Sequence, residues 1–476
     1  MITNDNTLRT SDTIPDPTKS LPPEVLAIIF KYACRFDKIE DPKRKLILGS
    51  VCSRWRRILW SSPHLWMSFY HMFRSHSNLG IVKLIELHAS NSVNNPLSYV
   101  LLWDHNELYD NPTISLAACF LIFAKYATRI RSLHLWEFDE TTWSAIIAYS
   151  RFSEFPQLES LDLTFMFDDQ LEELTSWFAR MPKLHWLALH HPCFDVHEIS
   201  PLTNITTLIL GDLHPDHAFY LLSQFPNLVK FETSGTTSDG YLPETIPDPP
   251  LTQDVVLPHL AQFSWNERTY LEDIAESTSF IHHIRLPAIR CLQWSWYLNF
   301  PPTHWDVWKC FFQNMDGLES IKIGTHAPHV IPDLLSLFST QHIREVEIYI
   351  YSVGELRRCL HKLMRSRNAR RASVLPHLDV LELYFPWDIG RDKVLRILSW
   401  VVTMLKSRRI SVMQTDYTAI RRFRMSEDEL LRVMRESMDI HSLSGQKSLR
   451  ALKALHDEGL DLHQGLIDFI VTHIAA

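Results

Sequence analysis

Ten times between Ile130 and Leu383 the chain repeats one short word: an apolar residue, two spacers, an apolar residue, one spacer, a third inward residue. Leu158/Leu161/Leu163, Leu184/Leu187/Leu189 and Ile205/Leu208/Leu210 are the clearest copies. Ile130/Leu133/Leu135 precedes them. Leu228/Phe231/Thr233, Leu260/Phe263/Trp265, Ile289/Leu292/Trp294, Leu318/Ile321/Ile323, Ile343/Val346/Ile348 and Leu378/Leu381/Leu383 follow. The last two members of each word are two residues apart, so they share one face of a strand. Helix-forming stretches such as Asp169–Ala179 and Pro215–Gln224 separate the words. Prolines introduce many copies, at Phe155-Pro156, Met181-Pro182, Phe225-Pro226, Leu257-Pro258, Leu286-Pro287 and Leu375-Pro376. A proline there ends a helix and stays out of the central strand that follows. One such unit cannot bury its own apolar edge. The units must stack, and the prediction is an α/β solenoid with a curved parallel sheet inside.

The spacing between middle residues runs from 21 (187 to 208) to 35 (346 to 381). It centres on, and sometimes exceeds, the period of leucine-rich repeats. The chain resembles that family in an irregular form, without the asparagine that usually follows each strand. The array is assigned to 69–425, with a proline-rich loop inserted at 236–258. Its atypical first unit is a helix through Leu84, Leu87 and His88, an Asn-Asn-Pro turn and a strand at Leu97–Leu102. Residues 426–476 read as a helical cap. Ser426 and Glu429 form a capping box there, followed by Leu430, Val433 and Met434 on one face. The basic clusters Arg365–Arg371 and Arg421–Arg424 read as solvated helix faces.

Ahead of the array stands a different kind of text. Leu21-Pro22-Pro23-Glu24-Val25-Leu26 opens a helix in which Leu26, Ile29, Phe30 and Ala33 form one apolar stripe. Val25, Ile28, Ile29 and Tyr32 form a second stripe beside it. A module of this size has too little interior to bury both, so one face is predicted to be reserved for another protein. Farther on, Val51, Trp55, Ile58 and Leu59 fall on one side of a later helix, with Arg54, Arg56 and Arg57 largely on the other. Ser62-Pro63-His64-Leu65-Trp66 closes the module. The set of words in this order resembles the F-box, over about Ser20 to Trp66. The head is assigned to 20–68, behind a disordered tail at 1–19. Its charged middle, Arg35–Lys45, departs from the family, which has a compact second helix there, and Gly49 sits where helix is expected.

The formal net charge of −8 argues against general nucleic-acid binding. Seven scattered cysteines without a Cys-x-x-Cys pair read as reduced thiols of the cytoplasm or nucleus. The polar first 20 residues hold no secretory signal, and no apolar run reaches 18 residues, so no membrane span is expected. With only 12 glycines and no Gly-x-Gly pair, neither a dinucleotide fingerprint nor a P-loop is available. His190, His191, Cys193 and His197 match no structural zinc spacing, and Asp212, His214, Asp216 and His217 are read the same way. Asp168, Asp169, Glu172 and Glu173 suit the first turn of a helix. No cofactor, metal or catalytic residue is assigned, and the chain is not expected to be an enzyme.

The F-box resemblance implies docking to the Skp-type adaptor of a Skp–cullin–F-box ubiquitin ligase. Leu21, Pro22, Val25, Leu26, Ile29, Val51 and Cys52 match family positions used for the adaptor or the box core, and Trp55 and Trp66 match the tryptophans that hold the box together. The repeats would present an unidentified protein substrate. On the open sheet face the late units bring together Glu345, Glu347, Tyr349, Glu382 and Tyr384, an acidic and aromatic set suited to a basic segment. The rival expectation is an F-box and repeat scaffold in a non-degradative complex.

Overall fold

The computed structural model describes residues 18, 20–36, 39–40, 42–73, 78–103, 113–138, 143–144, 146, 148, 154–165, 174–190, 202–211, 215–235, 254–266, 281, 283–296, 305–325, 330–338, 342–364, 374–384, 391–409, 419–425 and 442–474. The chain divides into two compact units, one of Met1–Leu161 with Ala179–Lys183, the other of Asp162–Phe178 with Leu184–Ala476.

The first unit begins with the head. Helix α1 (Pro23–Ala33) starts on Pro23, whose missing N–H costs nothing in the first turn. Two-residue strands β1 (Arg35–Phe36) and β2 (Ile39–Glu40) pair antiparallel. Helices α2 (Pro42–Val51) and α3 (Ser53–Trp60) follow, then a 3-10 turn at Pro63–Trp66. The charged middle therefore does contain a compact second helix, and Gly49 lies buried inside it, where an added Cβ would stand 3.6 Å from Leu59 Cδ1. The single helix expected through Val51 and Trp55 is two helices. Cys52 is extended (φ −156°, ψ 167°), and its Sγ accepts the Trp55 N–H at 3.4 Å.

Three parallel strands complete this unit: β3 (Ser68–Phe73), β4 (Leu97–Trp103) and β5 (Ile130–Phe138), with α4 (Asn78–Asn91) and α5 (Thr113–Tyr126) between them. The atypical first unit expected from Leu79 to Leu102 corresponds to α4 and β4. The sheet starts one strand earlier, at β3. Lys45 of α2 is buried and donates from Nζ to the Ser68 carbonyl at 3.1 Å, so the head holds the start of the first strand.

Strand β6 (Ser160–Phe165) carries the chain into the second unit, where the helix Leu174–Phe178 follows. There β7 (Trp186–His190), β8 (Thr207–Gly211), β9 (Lys230–Gly235), β11 (Gln262–Asn266), β13 (Cys291–Trp296), β14 (Ser320–Thr325), β15 (Glu345–Ile350), β16 (Val380–Tyr384), β17 (Arg422–Met425) and β18 (Asp461–Leu462) lie side by side in chain order. Neighbours are parallel. Between β9 and β13, β10 (Val255–Val256) and β12 (Ile284–Arg285) leave this order and pair with each other. The middle residues of the repeated word stand in one register: Leu187, Leu208, Phe231, Phe263, Leu292, Ile321, Val346 and Leu381. All are buried under helices such as Pro215–Gln224, Trp305–Gln313, Val353–Leu363 and Arg391–Arg409. The turn before each strand also repeats. The carbonyls of Phe155, Phe225, Leu257, Leu286 and Leu375 accept the N–H three residues on, at 3.1–3.3 Å.

Three expectations change in this unit. Arg421–Arg424 lies at a strand, not on a helix face, because Phe423 and Met425 alternate with the arginines and point into the core. The tail adds β18 and the helices Leu443–Asp457 and Gln464–Ile474 to the array. Of the proline-rich loop 236–258, Val255 and Val256 form β10; its first 18 residues, the Ser426/Glu429 box and Arg365–Arg371 lie outside the described residues.

Helix Val353–Leu363 carries a group out of place. Ser352 Oγ caps it by accepting the Glu355 N–H at 3.1 Å, and the Glu355 side chain is buried. Burial pushes its carboxyl up from 4.5 to about 7, against a backbone hydrogen bond at Tyr351 that acts the other way. The folded chain then holds a proton that the unfolded chain has lost, so stability falls as pH rises from about 4.5 through 7. Glu355→Gln should remove that slope and stabilise the protein by about 2–3 kcal/mol at pH 8. Urea midpoints at pH 5 and pH 8 measure it. An unchanged slope in the variant would place the group elsewhere.

Candidate functional site

The two stripes of α1 part company in space. Leu26, Ala27 and Phe30 face inward and form one core with Ile58, Leu59, Leu65 and Trp66. Val25, Ile28, Ile29 and Tyr32 face outward, Ile28 at 55% exposure and Ile29 at 44%. Helix α2 touches α1 and shows the inverse of a usual amphipathic pattern. Its Lys45 is buried while Leu46, Ile47 and Val51 are exposed, Ile47 at 62% and Val51 at 59%. A lone exposed apolar side chain is ordinary. Seven on two touching helices make a surface that water does not favour.

The expected docking residues divide accordingly. Val25, Ile29 and Val51 lie on this surface, and Pro22 is exposed at its end. Leu21 is half-buried against the core. Of the two roles expected for Leu26, adaptor contact or box core, the structure shows the core: it is 1% exposed, one turn from Phe30 on the inner stripe. Cys52 is corrected to a helix cap. Ile28, Tyr32, Leu46 and Ile47 are added. The first two were legible in the second stripe of α1. Leu46 and Ile47 give no such signal, because the polarity of α2 is inverted and does not read as an amphipathic helix.

The tryptophans hold this surface in shape. Trp55 Nε1 donates to Thr18 Oγ1 at 3.1 Å, and its ring lies 5.0 Å from that of Phe30. Arg54 donates to the carbonyls of Thr18 and Leu21, tying the entry of α1 to α3. Trp66, fully buried, donates from Nε1 to the Leu59 carbonyl at 2.9 Å.

The second expected set lies on the open face of the late strands. Lys322, Glu347, Glu382 and Arg424 stand in one register across β14 to β17. Lys322 Nζ is 2.6 Å from Glu347 Oε2, and Arg424 Nε is 3.8 Å from Glu382 Oε1. The Tyr349 and Tyr384 rings stack at 4.6 Å, and their hydroxyls donate to Glu347 (2.6 Å) and Glu382 (3.2 Å). Burial, and then Glu347, push the Tyr349 hydroxyl pKa well up. Burial alone would lower Lys322, but Glu347 outweighs it and the net shift is upward. Gly324 stands beside Tyr349; a Cβ there would come within 3.1 Å of Tyr349 Cβ, so glycine is what lets the ring pack. Glu345 is exposed between the neutral Ser320 and Val380. The five residues are thus brought together, but Glu347 and Glu382 already have cationic partners. The face is an internally paired lattice rather than an acidic patch.

His190 lies 3.7 Å from Asp162. His191, Cys193 and His197, with Asp212 and His214 and the acidic residues 168–173, lie outside the described residues. Among the described residues no group of three or more His, Cys, Asp or Glu could hold a metal ion, and no helix is long and apolar enough to cross a membrane.

Residues 18–72 match the F-box-like family model. No curated protein matches the chain. Among solved structures it is similar to one described as the crystal structure of the Rad7 and Elc1 complex in yeast. The identity is 12%, the match covers 86% of this chain and 90% of that one, and the TM-score is 0.32. A likeness this slight assigns nothing to particular residues.

Proposed function

We propose that this chain is the substrate-recognition subunit of a Skp–cullin–F-box ubiquitin ligase, working in the cytoplasm or nucleus. The F-box-like domain docks a Skp-type adaptor, and through it a cullin, while the repeats hold a protein target on their open sheet face. Ubiquitin transfer belongs to other subunits, and the chain itself is not an enzyme. The observation that carries this reading is the exposed apolar surface of Val25, Ile28, Ile29, Tyr32, Ile47 and Val51, inside the matched residues 18–72. Burying such side chains in a partner yields roughly 25 cal/mol for each Å² removed from water. A carboxylate at the same place would have to be desolvated without a partner.

Ile29→Asp combined with Val51→Asp is therefore expected to weaken binding of a recombinant Skp-type adaptor by at least 100-fold, read by calorimetry, with the melting temperature unchanged. Leu26→Ala should do the reverse: it lowers stability by about 2–5 kcal/mol and spares adaptor affinity while the domain is folded. Full adaptor affinity in the double aspartate variant would overturn the docking assignment. Co-purification with the adaptor but never with a cullin would instead favour the non-degradative scaffold. For the target, Glu347→Lys with Glu382→Lys is expected to change the captured proteins, since it breaks both tyrosine–carboxylate pairs; an unchanged set would remove this face from the proposal.

A further inference from the structure

The helix layer of the last repeats carries a charge distribution that the two helices before it do not share among the described residues. On the helices Val353–Leu363, Arg391–Arg409 and Leu443–Asp457, which pack one against the next, the side chains of Arg357, Lys362, Lys393, Arg396, Lys406, Lys447, Arg450 and Lys453 are all exposed. His361 lies among them. Among the residues of these helices whose side chains are described, the one exposed acid is Asp457, in the final turn of the last helix; the side chain of Asp392 lies outside the described ones, and Glu458 just beyond Asp457 is engaged with Arg409. Glu355 is buried and faces inward. The helix Trp305–Gln313 mixes Asp306 with Lys309, and Val330–Leu337 shows Asp333 and no cation. The basic surface therefore has an onset, at Val353, and an end.

We infer that these three helices form a docking surface for an acidic segment of a partner protein, a run of aspartate and glutamate lying across the helix axes. This rests on neither the adaptor nor the sheet-face reading. Neighbouring helix axes stand about 8–10 Å apart, and exposed residues three or four apart on one helix are about 5–6 Å apart. Eight cations on that grid suit a multivalent chain, not one phosphate. The kind of polyanion follows from the net charge. The whole chain carries −8 and these eight side chains carry +8, so the remainder of the chain carries −16. That net negative charge disfavours a long polyanion such as a duplex or an anionic membrane, while a short acidic segment is matched to the patch alone. Five of the eight are lysines, hydrated point charges without the planar fork that arginine offers to phosphate. The exposed large apolar residues lie on other elements, so these helices offer no base-stacking shelf and no wedge for a lipid interior. Trp400, the aromatic residue of the middle helix, is half-buried beneath Arg357, whose guanidinium carbon lies 5.6 Å from its ring.

The test is fluorescence anisotropy of the full-length protein with a labelled glutamate dodecapeptide. The same assay is run with a twelve-base-pair duplex and with phosphatidylserine vesicles. Binding of the peptide is expected at 50 mM salt, with a loss of at least tenfold at 300 mM. The variant Lys393→Glu/Arg396→Glu/Lys447→Glu is expected to lose at least tenfold in affinity. A control with the same net charge, Lys83→Glu/Lys183→Glu/Lys309→Glu, is expected to keep it. Both should bind the Skp-type adaptor like the parent, which separates this surface from the docking face. Equal loss in the control, no binding of the peptide by the parent, or tighter binding of the duplex or vesicles would each overturn the inference.

Discussion

Trp66→Ala is expected to lower the unfolding free energy by about 3–5 kcal/mol and to loosen the first repeats along with the head. Trp66 is fully buried, with the Trp60 ring 4.7 Å away and the His88 ring 4.9 Å away, and Lys45 Nζ 6.0 Å from its centre. Removing the indole leaves a cavity and strips the Leu59 carbonyl of its 2.9 Å donor. His88 and Leu87 belong to α4, so the core of the head reaches into the first repeat across the boundary expected at residue 68. Burial, reinforced by Lys45, holds the His88 pKa well below its ordinary value, so it has no charge of its own to tolerate a wet cavity. Trp66→Phe keeps an aromatic ring and loses the hydrogen bond, and should cost about 1–2 kcal/mol. Urea denaturation followed by circular dichroism measures both. A change under 1 kcal/mol for the alanine variant would show that the head and the repeats do not depend on this ring. By the same logic a fragment ending at residue 72 exposes the α4 side of Trp66, and is expected to be markedly less stable than the intact chain.

The repeat was legible because burial on one side of a strand writes a period of two that helices do not imitate. Leu187, Leu208, Phe231 and Phe263 fall in one register for the reason they were aligned in the sequence: each is the residue that must point beneath the sheet. Thr233 shows why weak copies still count. It is buried, and its hydroxyl accepts the Asn266 N–H at 2.7 Å, so a polar residue fills a leucine's place by finding a donor. Strand β17 has the same alternation in Arg422, Phe423, Arg424 and Met425, but three arginines in the four residues from Arg421 give it the look of a charged face. Strand β18, two residues long, has too few positions to show a period. Helix α2 could not be read by polarity at all. Its buried lysine is satisfied by the Ser68 carbonyl, and its outward aliphatic residues make sense only if another molecule covers them. The part of the candidate site that the sequence hid is the part where the usual rule of burial is reversed.

Arg408→Ala is expected to cost about 4 kcal/mol, an effect of the size seen for core truncations although the residue is charged. Its guanidinium is buried at the end of helix Arg391–Arg409 and donates to three main-chain carbonyls, those of Leu363 (2.8 Å), Leu375 (2.7 Å) and Val374 (2.5 Å). Leu363 ends the preceding helix, where carbonyls have no partner within the helix. Val374 and Leu375 form the turn into β16. One side chain thus fastens a helix end, a turn and the next helix. Leu375 sits at φ 53°, a left-handed conformation that costs a non-glycine residue about 1–2 kcal/mol. Its buried side chain and the Arg408 donor hold it there. Each hydrogen bond from a charged donor is worth about 1.5–3 kcal/mol, set against the cost of burying the charge. Removing the donor strips the side-chain bond from all three carbonyls, of which that of Leu375 keeps the Leu378 N–H at 3.3 Å. Arg408→Lys can reach one or two of them and should recover part of the loss, whereas Arg408→Met restores bulk alone and should recover less. Equilibrium unfolding of the three variants decides between them. If methionine did as well as lysine, packing and not the carbonyl bonds would be what Arg408 supplies, and the strained turn at Leu375 would have to be held by its own buried side chain.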